Sequence, residues 1–289
     1  MNTTELISAL KICGSFPTSN DLFSTSDFLV LLNMQLKSDI TPMMLKLNEE
    51  FFLQTKDFTI TQGSSYRIPT RAIGAKLRDL SMIDNAGNVT PINRLFEEDR
   101  PSGKSGYYML RNSVELSTDF NANTLRMKVF ARPNTLVATT ACGQISSINT
   151  GNNTVVVSSA PSTFAANTVV DLIQSRNPYD LLAMDSVLSA VASATLTFSS
   201  LPTDLAVGDW VALATESPVP MVPDEIHPLL IQSCLCRTLS SKKDKIYEQE
   251  KVTLDEMREV AINMLDPRVE NASVKFRSGS LLSHFSKGY

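Results

Sequence analysis

The sequence predicts an α+β fold: a helical bundle formed from N- and C-terminal helices, with β-rich regions inserted between its halves. Three observations predict this class. Apolar residues recur at helical spacing near both ends of the chain. Short extended runs punctuated by Gly, Pro and Asn fill the middle. Part of that middle is an internal duplication, which predicts a small β-barrel or sandwich module.

The duplication is a gapless match at a shift of 41 positions. Thr154–Ile173 reads TVVVSSAPSTFAANTVVDLI, and Thr195–Ala214 reads TLTFSSLPTDLAVGDWVALA. Each copy has a β-branched run, a Ser-Ser-x-Pro turn and a second apolar run, which is typical of a strand–turn–strand unit. Because neither sheet could bury its apolar face alone, we expect the two units to pair into one pseudo-symmetric module.

Residues 1–56 are predicted to supply the N-terminal helices of the bundle. Thr3 or Thr4 can cap a first helix, and Ser24–Asp27 opens a second. Thr41-Pro42 predicts a third helix start, because Pro is tolerated at the first helical position.

Two β-rich regions follow, and their charge separates them. Residues 57–135 form a β-rich insertion, which is mildly basic: its first part, 57–132, has eleven Lys or Arg against eight Asp or Glu. Residues 136–217 form the duplicated module, with six Asp or Glu and a single Arg176. This contrast places a domain boundary near Arg132.

Residues 218–266 are predicted to return to helices. Asp224 begins one helix, and Thr253-Leu254-Asp255-Glu256 has the pattern of a capping box that opens the last. Residues 267–289 show no sustained periodicity, so they are interpreted as an extended C-terminal arm. From Asn271 onward the arm has no acidic residue and carries basic and aromatic side chains.

The composition argues against several classes of function. The net charge of −4 gives no reason to expect tight nucleic-acid binding. No apolar run reaches the roughly 18 residues of a membrane span. The spacing of Cys13, Cys142, Cys234 and Cys236 suggests no disulfide framework, so we expect reduced thiols. With only two histidines, the chain has little capacity for acid–base or metal chemistry.

Two short motifs have a chemical and a structural interpretation. Gly103-Lys104-Ser105 is similar to the end of a phosphate-binding loop, but Glu98 stands where such a loop needs a second glycine. Cys234 and Cys236 lack a second Cys or His pair to complete a metal site. The structural interpretations, a basic loop and a core thiol, are therefore favoured.

His227 and Trp210 also have two interpretations each. His227 follows two carboxylates, Asp224 and Glu225, which could form a catalytic pair but more simply order a helix start. Trp210 could stack on a sugar, yet it matches Val169 of the other repeat, which favours a core or inter-subunit role. We expect no enzymatic activity, no cofactor and no metal.

Three segments together resemble head-to-tail connector proteins of tailed bacteriophages, the adaptor or ring proteins beneath the portal. They are Pro223-Asp224-Glu225-Ile226-His227-Pro228-Leu229-Leu230, the repeat segment Leu205-Ala206-Val207-Gly208-Asp209-Trp210-Val211, and the arm from Pro267. The resemblance covers mainly residues 20–55 and 136–289. The insertion at 57–132 has no counterpart in it.

The resemblance implies a structural virion protein that forms a ring, commonly twelve-fold, docks on the portal protein and extends the DNA channel to the tail. Its other partner would be the tail or a second ring protein. Double-stranded DNA would pass through without specific binding, and no membrane would be involved. The ring would be assembled in the host cytoplasm and lie in the neck of the virion.

The resemblance also implies that the arm docks on the portal and orders on binding. The residues that would make this contact are Arg268, Lys275, Phe276, Arg277, Phe285, Lys287 and Tyr289. One alternative is another virion component, either a capsid decoration or a tail-associated module with Trp210 in a glycan site. A second alternative is an enzyme acting on DNA or cell wall.

Overall fold

The computed structural model describes residues 1–16, 23–61, 65–96, 98, 104–117, 123–242 and 246–265. Over these residues the chain is mainly β, with fifteen strands, several small sheets and one closed barrel. The predicted fold class, a helical bundle with β-rich insertions, is therefore wrong. Helical periodicity identified local elements, but three of the four hydrophobic clusters are built mainly from strand and loop residues.

The N-terminal helices contribute to one apolar cluster. Asn2, rather than Thr3 or Thr4, caps the first helix, because its side chain accepts a hydrogen bond from the Glu5 amide. Ser24 caps the second helix as predicted. A π-helical turn, Leu36–Ile40, joins the second helix to the third without a break. The helices are α1 (Thr3–Cys13), α2 (Thr25–Gln35) and α3 (Thr41–Leu47).

The region after α3 forms two small antiparallel sheets that share one core. The first sheet has the strand order β1-β7-β3-β4, and the second has the order β2-β6-β5. The strands are β1 (Leu53–Thr59), β2 (Ser65–Arg67), β3 (Ala72–Ile83), β4 (Val89–Pro91), β5 (Tyr107–Leu110), β6 (Ser113–Leu116) and β7 (Thr124–Ala131). We call this part the two-sheet module.

The duplicated sequence folds into a closed six-stranded barrel of order β10-β13-β12-β11-β14-β9. A short parallel pair, β8 and β15, joins the entrance of the barrel to its exit. Its strands are β8 (Thr135–Leu136), β9 (Gly143–Asn149), β10 (Thr154–Val157), β11 (Val169–Ile173), β12 (Leu181–Ala192), β13 (Thr195–Phe198), β14 (Trp210–Leu213) and β15 (Glu216–Ser217).

The barrel has pseudo-twofold symmetry. Exchanging β9 with β12, β10 with β13 and β11 with β14 reproduces the same cyclic strand order. Val155 pairs with Leu196, and Asp171 pairs with Ala212. Equivalent residues of the two repeats therefore lie opposite each other at the two places where the pseudo-twofold axis crosses the barrel wall. The two halves therefore close each other, because each supplies the edge strands that the other lacks.

The chain returns to helices after the barrel. A 3₁₀ turn, Asp224–Ile226, leads into α4 (His227–Lys242), which is followed by α5 (Tyr247–Leu265). Thr253 lies inside α5, so the predicted capping box there is wrong. Helix α4 contacts α1, α2 and α5, and the helices share one apolar cluster. No helix in the described ranges is long and apolar enough to cross a membrane.

Candidate interaction surfaces

The predicted portal-docking residues cannot be placed in the fold. Arg268, Lys275, Phe276, Arg277, Phe285, Lys287 and Tyr289 all lie outside the described residues. The sites below are built from the residues that the structure does describe.

A buried ionic cluster joins the two-sheet module to the barrel. Arg71, just before β3, donates to both carboxylate oxygens of Asp171 at 2.9 and 2.6 Å and to Asp185 at 3.0 Å. The Arg71 side chain is 7% exposed and that of Asp171 is fully buried. Burial disfavours the charged guanidinium, but the hydrogen bonds and charges of the two carboxylates outweigh it and raise the pKa of Arg71.

The Asp171 carboxylate also receives donors from the barrel and its exit. The amides of Asp185 and Thr215 each donate to it at 3.0 Å, and the side chain of Asn134 donates at 2.7 Å. The side chain of Asn134 in turn accepts from Arg71 and donates to the carbonyl of Glu216. A buried carboxylate with this many donors is fully compensated, so the cluster fixes how the two modules meet.

This cluster breaks the pseudo-symmetry of the barrel. Ala212 stands opposite Asp171 at the equivalent position, and it has no group that could receive Arg71. The two-sheet module therefore docks asymmetrically on the barrel, where Arg71 contacts Asp171 on β11 of one half and Asp185 on β12 of the other. The sequence did not identify this role for Asp171, because an isolated acid in a strand pattern gives no sign of its distant partner.

A groove of about 620 Å³ opens beside this cluster. Three parts of the chain line it: α3 with the π-helical turn before it, the residues around the start of β3, and the entrance to the barrel. Four apolar residues, Pro42, Leu45, Ile73 and Pro133, line it together with four threonines. We call it the cationic groove, because two exposed cations, Lys37 and Arg132, also line it.

Hydrogen bonds position both cations of the groove. Lys37 Nζ donates to the Thr135 hydroxyl at 3.3 Å, and Arg132 Nη1 donates to the Thr70 carbonyl at 3.2 Å. These neutral acceptors do not cancel the charges. The third cation of the lining, Arg71, is neutralised by its buried carboxylates. The groove therefore combines apolar lining residues with about two positive charges.

Helix α5 presents the opposite combination to solvent. Leu254 and Ala261 face the helical cluster and are buried. On the other side Val260 and Met264 are more than half exposed, next to the exposed carboxylates of Glu256 and Glu259. Since residues three and four apart are neighbours on a helix, Glu256, Val260 and Met264 form one stripe, and Glu259 borders it beside Glu256. We call these four residues the acidic and apolar stripe.

His227 lies in a small buried polar cluster at the start of α4. Its Nδ1 is 3.0 Å from the Met1 amino nitrogen and 3.3 Å from an oxygen of Asp224. Tyr179 accepts from the same amino group and donates to Asp224 at 2.7 Å, which lowers the pKa of that carboxyl. His227 Nε2 is buried without a hydrogen-bond partner in the part of the chain that is described.

Burial, and secondly the neighbouring positive charge of Met1, lower the pKa of His227 to about 4 against the opposing pull of Asp224. The ring is therefore neutral at pH 7. It orders the entry into α4, with its side chain only 1% exposed. This position favours the structural interpretation over a catalytic pair.

The other candidate side chains are also enclosed. Trp210 is 8% exposed and packs with Ile173 and Tyr179, so it offers no ring face to a sugar. Cys234 and Cys236 are buried, and burial raises the pKa of Cys236 to about 11. Among the described residues no group of three or more His, Cys, Asp or Glu could hold a metal ion.

No protein-family model and no curated protein matches this sequence. The surfaces described above therefore carry the functional interpretation.

Proposed function

We propose that the protein is a structural virion component: a ring-forming head-to-tail adaptor that docks on the portal of a tailed bacteriophage and extends the DNA channel towards the tail. The subunits would assemble around the channel in the neck of the particle. The tail or a second ring protein would bind the far side.

One observation carries the proposal, namely the position of Pro223–Leu230, which is one of the three segments that carry the resemblance. Ile226, Leu229 and Leu230 are buried in the cluster that α1 and α2 also line. Asp224 in the same segment bonds to Tyr179 of the barrel module. The segment thus links the N-terminal helices, the C-terminal helices and the barrel, which is a role in architecture rather than in chemistry.

The exposed apolar side chains also support a subunit that is covered by neighbours. Val30 and Met34 are exposed on α2, and Val169 and Val187 are exposed as a cross-strand pair on the barrel. Contacts around a closed ring would bury such residues on both sides of each subunit.

The surface charge of the barrel is compatible with DNA passing nearby. Arg176 is its only basic residue, so it offers little to hold phosphates. The acidic excess is smaller at the surface than the sequence suggests. Asp171 is buried in the ionic cluster, and Asp209 is buried where it accepts from the amides of Ser175 and Ala206.

Co-sedimentation with portal rings of the same phage tests the proposal. We expect the full chain to sediment with the portal, and a chain that ends at Glu270 to remain folded but stay in the supernatant. A full chain that does not sediment with the portal would overturn the adaptor function. A shortened chain that binds as well as the full one would overturn only the role of the arm.

A further inference from the structure

The cationic groove and the stripe on α5 are complementary in both charge and polarity. The groove is lined by apolar residues and by two exposed cations, Lys37 and Arg132. The stripe has Val260 and Met264 flanked by Glu256 and Glu259. Two acids facing two bases around a shared apolar contact is a pattern that sets both register and partner choice.

The two surfaces lie on different sides of the same helical segment. On the π-helical turn, Asp39 accepts from Arg258 of α5, at 2.9 Å to each carboxylate oxygen. Lys37, two residues earlier, extends instead to Thr135 at the groove. Residues two apart on a helix point in different directions, so the turn separates α5 from the groove. A subunit therefore cannot place its own α5 in its own groove.

We infer that the cationic groove of one subunit receives the acidic and apolar stripe of α5 from a second copy of the chain. Two different surfaces make this contact, so it is heterologous and propagates from subunit to subunit until the rotation closes it. The inference rests on the proposed ring, and it names the surfaces through which the ring is held together.

Charge reversal tests the contact directly. The groove variant is Lys37→Glu with Arg132→Glu, and the stripe variant is Glu256→Lys with Glu259→Lys. Each alone places like charges against each other, so we expect the concentration needed for half assembly to rise by on the order of tenfold or more. Mixing the two variants restores opposite charges at every contact and should restore assembly in a one-to-one ratio. Sedimentation velocity over a range of concentrations measures both effects.

A matched control reverses two exposed basic residues elsewhere, Arg67→Glu on the two-sheet module with Arg176→Glu on the barrel. It changes the net charge as much as the groove variant does and should assemble like the parent chain. Thermal melting checks that every variant is folded. If a reversal lowers the melting temperature, the neutral pair Lys37→Gln with Arg132→Gln replaces the groove variant, with a smaller loss expected.

The outcomes separate this inference from the proposed function. If rings form and both reversed variants assemble like the control, the ring stands and the inferred contact is wrong. If each variant fails but the mixture does not recover, the two surfaces do not meet each other, and the inference is again wrong. If the parent chain forms no ring, either by itself or when mixed with the portal, the proposed adaptor function is wrong. The inferred contact is then wrong as well.

Discussion

Val155 lies directly opposite Leu196 in the ladder between β10 and β13, and the two are equivalent residues of the duplicated sequence. Both side chains are fully buried in the barrel core. The pseudo-twofold axis passes between them, so each half of the barrel presents the same position to the other. The barrel core is therefore a contact between two copies of one unit.

Truncating this pair should destabilise the barrel. We expect Leu196→Ala to lower the free energy of unfolding by about 2–5 kcal/mol, because it leaves a cavity in a closed core. Combining it with Val155→Ala should be non-additive, since the two residues are in contact. Val207→Ala, at an exposed site of the same repeat, is the control and should change stability by less than about 0.5 kcal/mol. Denaturant unfolding measures five chains: the parent, Leu196→Ala, Val155→Ala, the double variant and Val207→Ala. Equal losses for Leu196→Ala and Val207→Ala would contradict the barrel core.

The Arg71–Asp171 pair should matter far more than an exposed pair of the same geometry. Arg71→Met leaves a buried carboxylate without its cation, which should cost about 3–5 kcal/mol. Arg126 donates to both oxygens of Asp57 at 2.8 Å but is much more exposed, so Arg126→Met should cost less than about 1 kcal/mol. Denaturant unfolding compares them. Similar losses for the two variants would show that the cluster does not hold the modules together.

His227 should make the stability depend on pH between about 4 and 6.5. Its pKa is about 4 in the folded protein, against 6.5 for an ordinary histidine. In this window the unfolded chain binds a proton that the folded chain does not. The free energy of unfolding therefore falls as the pH is lowered from 6.5 towards 4, by about 3 kcal/mol at most.

The comparison with His227→Gln isolates this contribution from that of the carboxyl groups. Asp224 has a lowered pKa, so the stability that it contributes is lost as the pH falls from its ordinary pKa of 3.8 towards the lower folded value, below the range in which His227 acts. Denaturant unfolding at several pH values should give a smaller loss towards low pH for the variant than for the parent chain. Identical pH dependence of the two chains would show that His227 is protonated in the folded state.

Ser24 and Thr253 were both predicted to cap a helix, and only Ser24 does so in the structure. The Ser24 hydroxyl accepts from the Asp27 amide at the start of α2. Ser24→Ala should therefore lower the free energy of unfolding by about 1 kcal/mol. Thr253 is exposed within α5 and donates to the Gln249 carbonyl, so Thr253→Ala should be neutral or stabilising, because Ala has the higher helix propensity. A larger loss at Thr253 in thermal or denaturant unfolding would mean that α5 begins later.

The repeated strands could be predicted from the sequence, but the closure of the barrel could not. The third strand of each half is β9 or β12, and these escape the gapless match. The loop between β9 and β10 has four residues, 150–153, whereas Ser193 and Ala194 alone join β12 to β13. When this two-residue difference in loop length is allowed for, the two halves have equivalent hydrogen bonds. Ser146 donates to the Val156 carbonyl, and Ser189 donates to the equivalent carbonyl of Thr197.

The interaction surfaces depend on contacts between distant parts of the chain, which the sequence pattern does not encode. Lys37 and Arg132 are far apart in sequence and line the same groove only because α2 and the π-helical turn pack beside β8 at the entrance to the barrel. Thr253 and Glu256 have the spacing of a capping box, yet tertiary packing of Tyr247 and Leu254 extends α5 further towards its N-terminus. Local spacing thus identified elements, while their packing decided which residues became surfaces.

Electron cryomicroscopy of the full chain mixed with the portal of the same phage tests the proposed adaptor most directly. A closed ring of subunits stacked coaxially on the portal, with an open axial channel, is the predicted result. Portal particles that carry no added ring, in a field of single subunits, would contradict it.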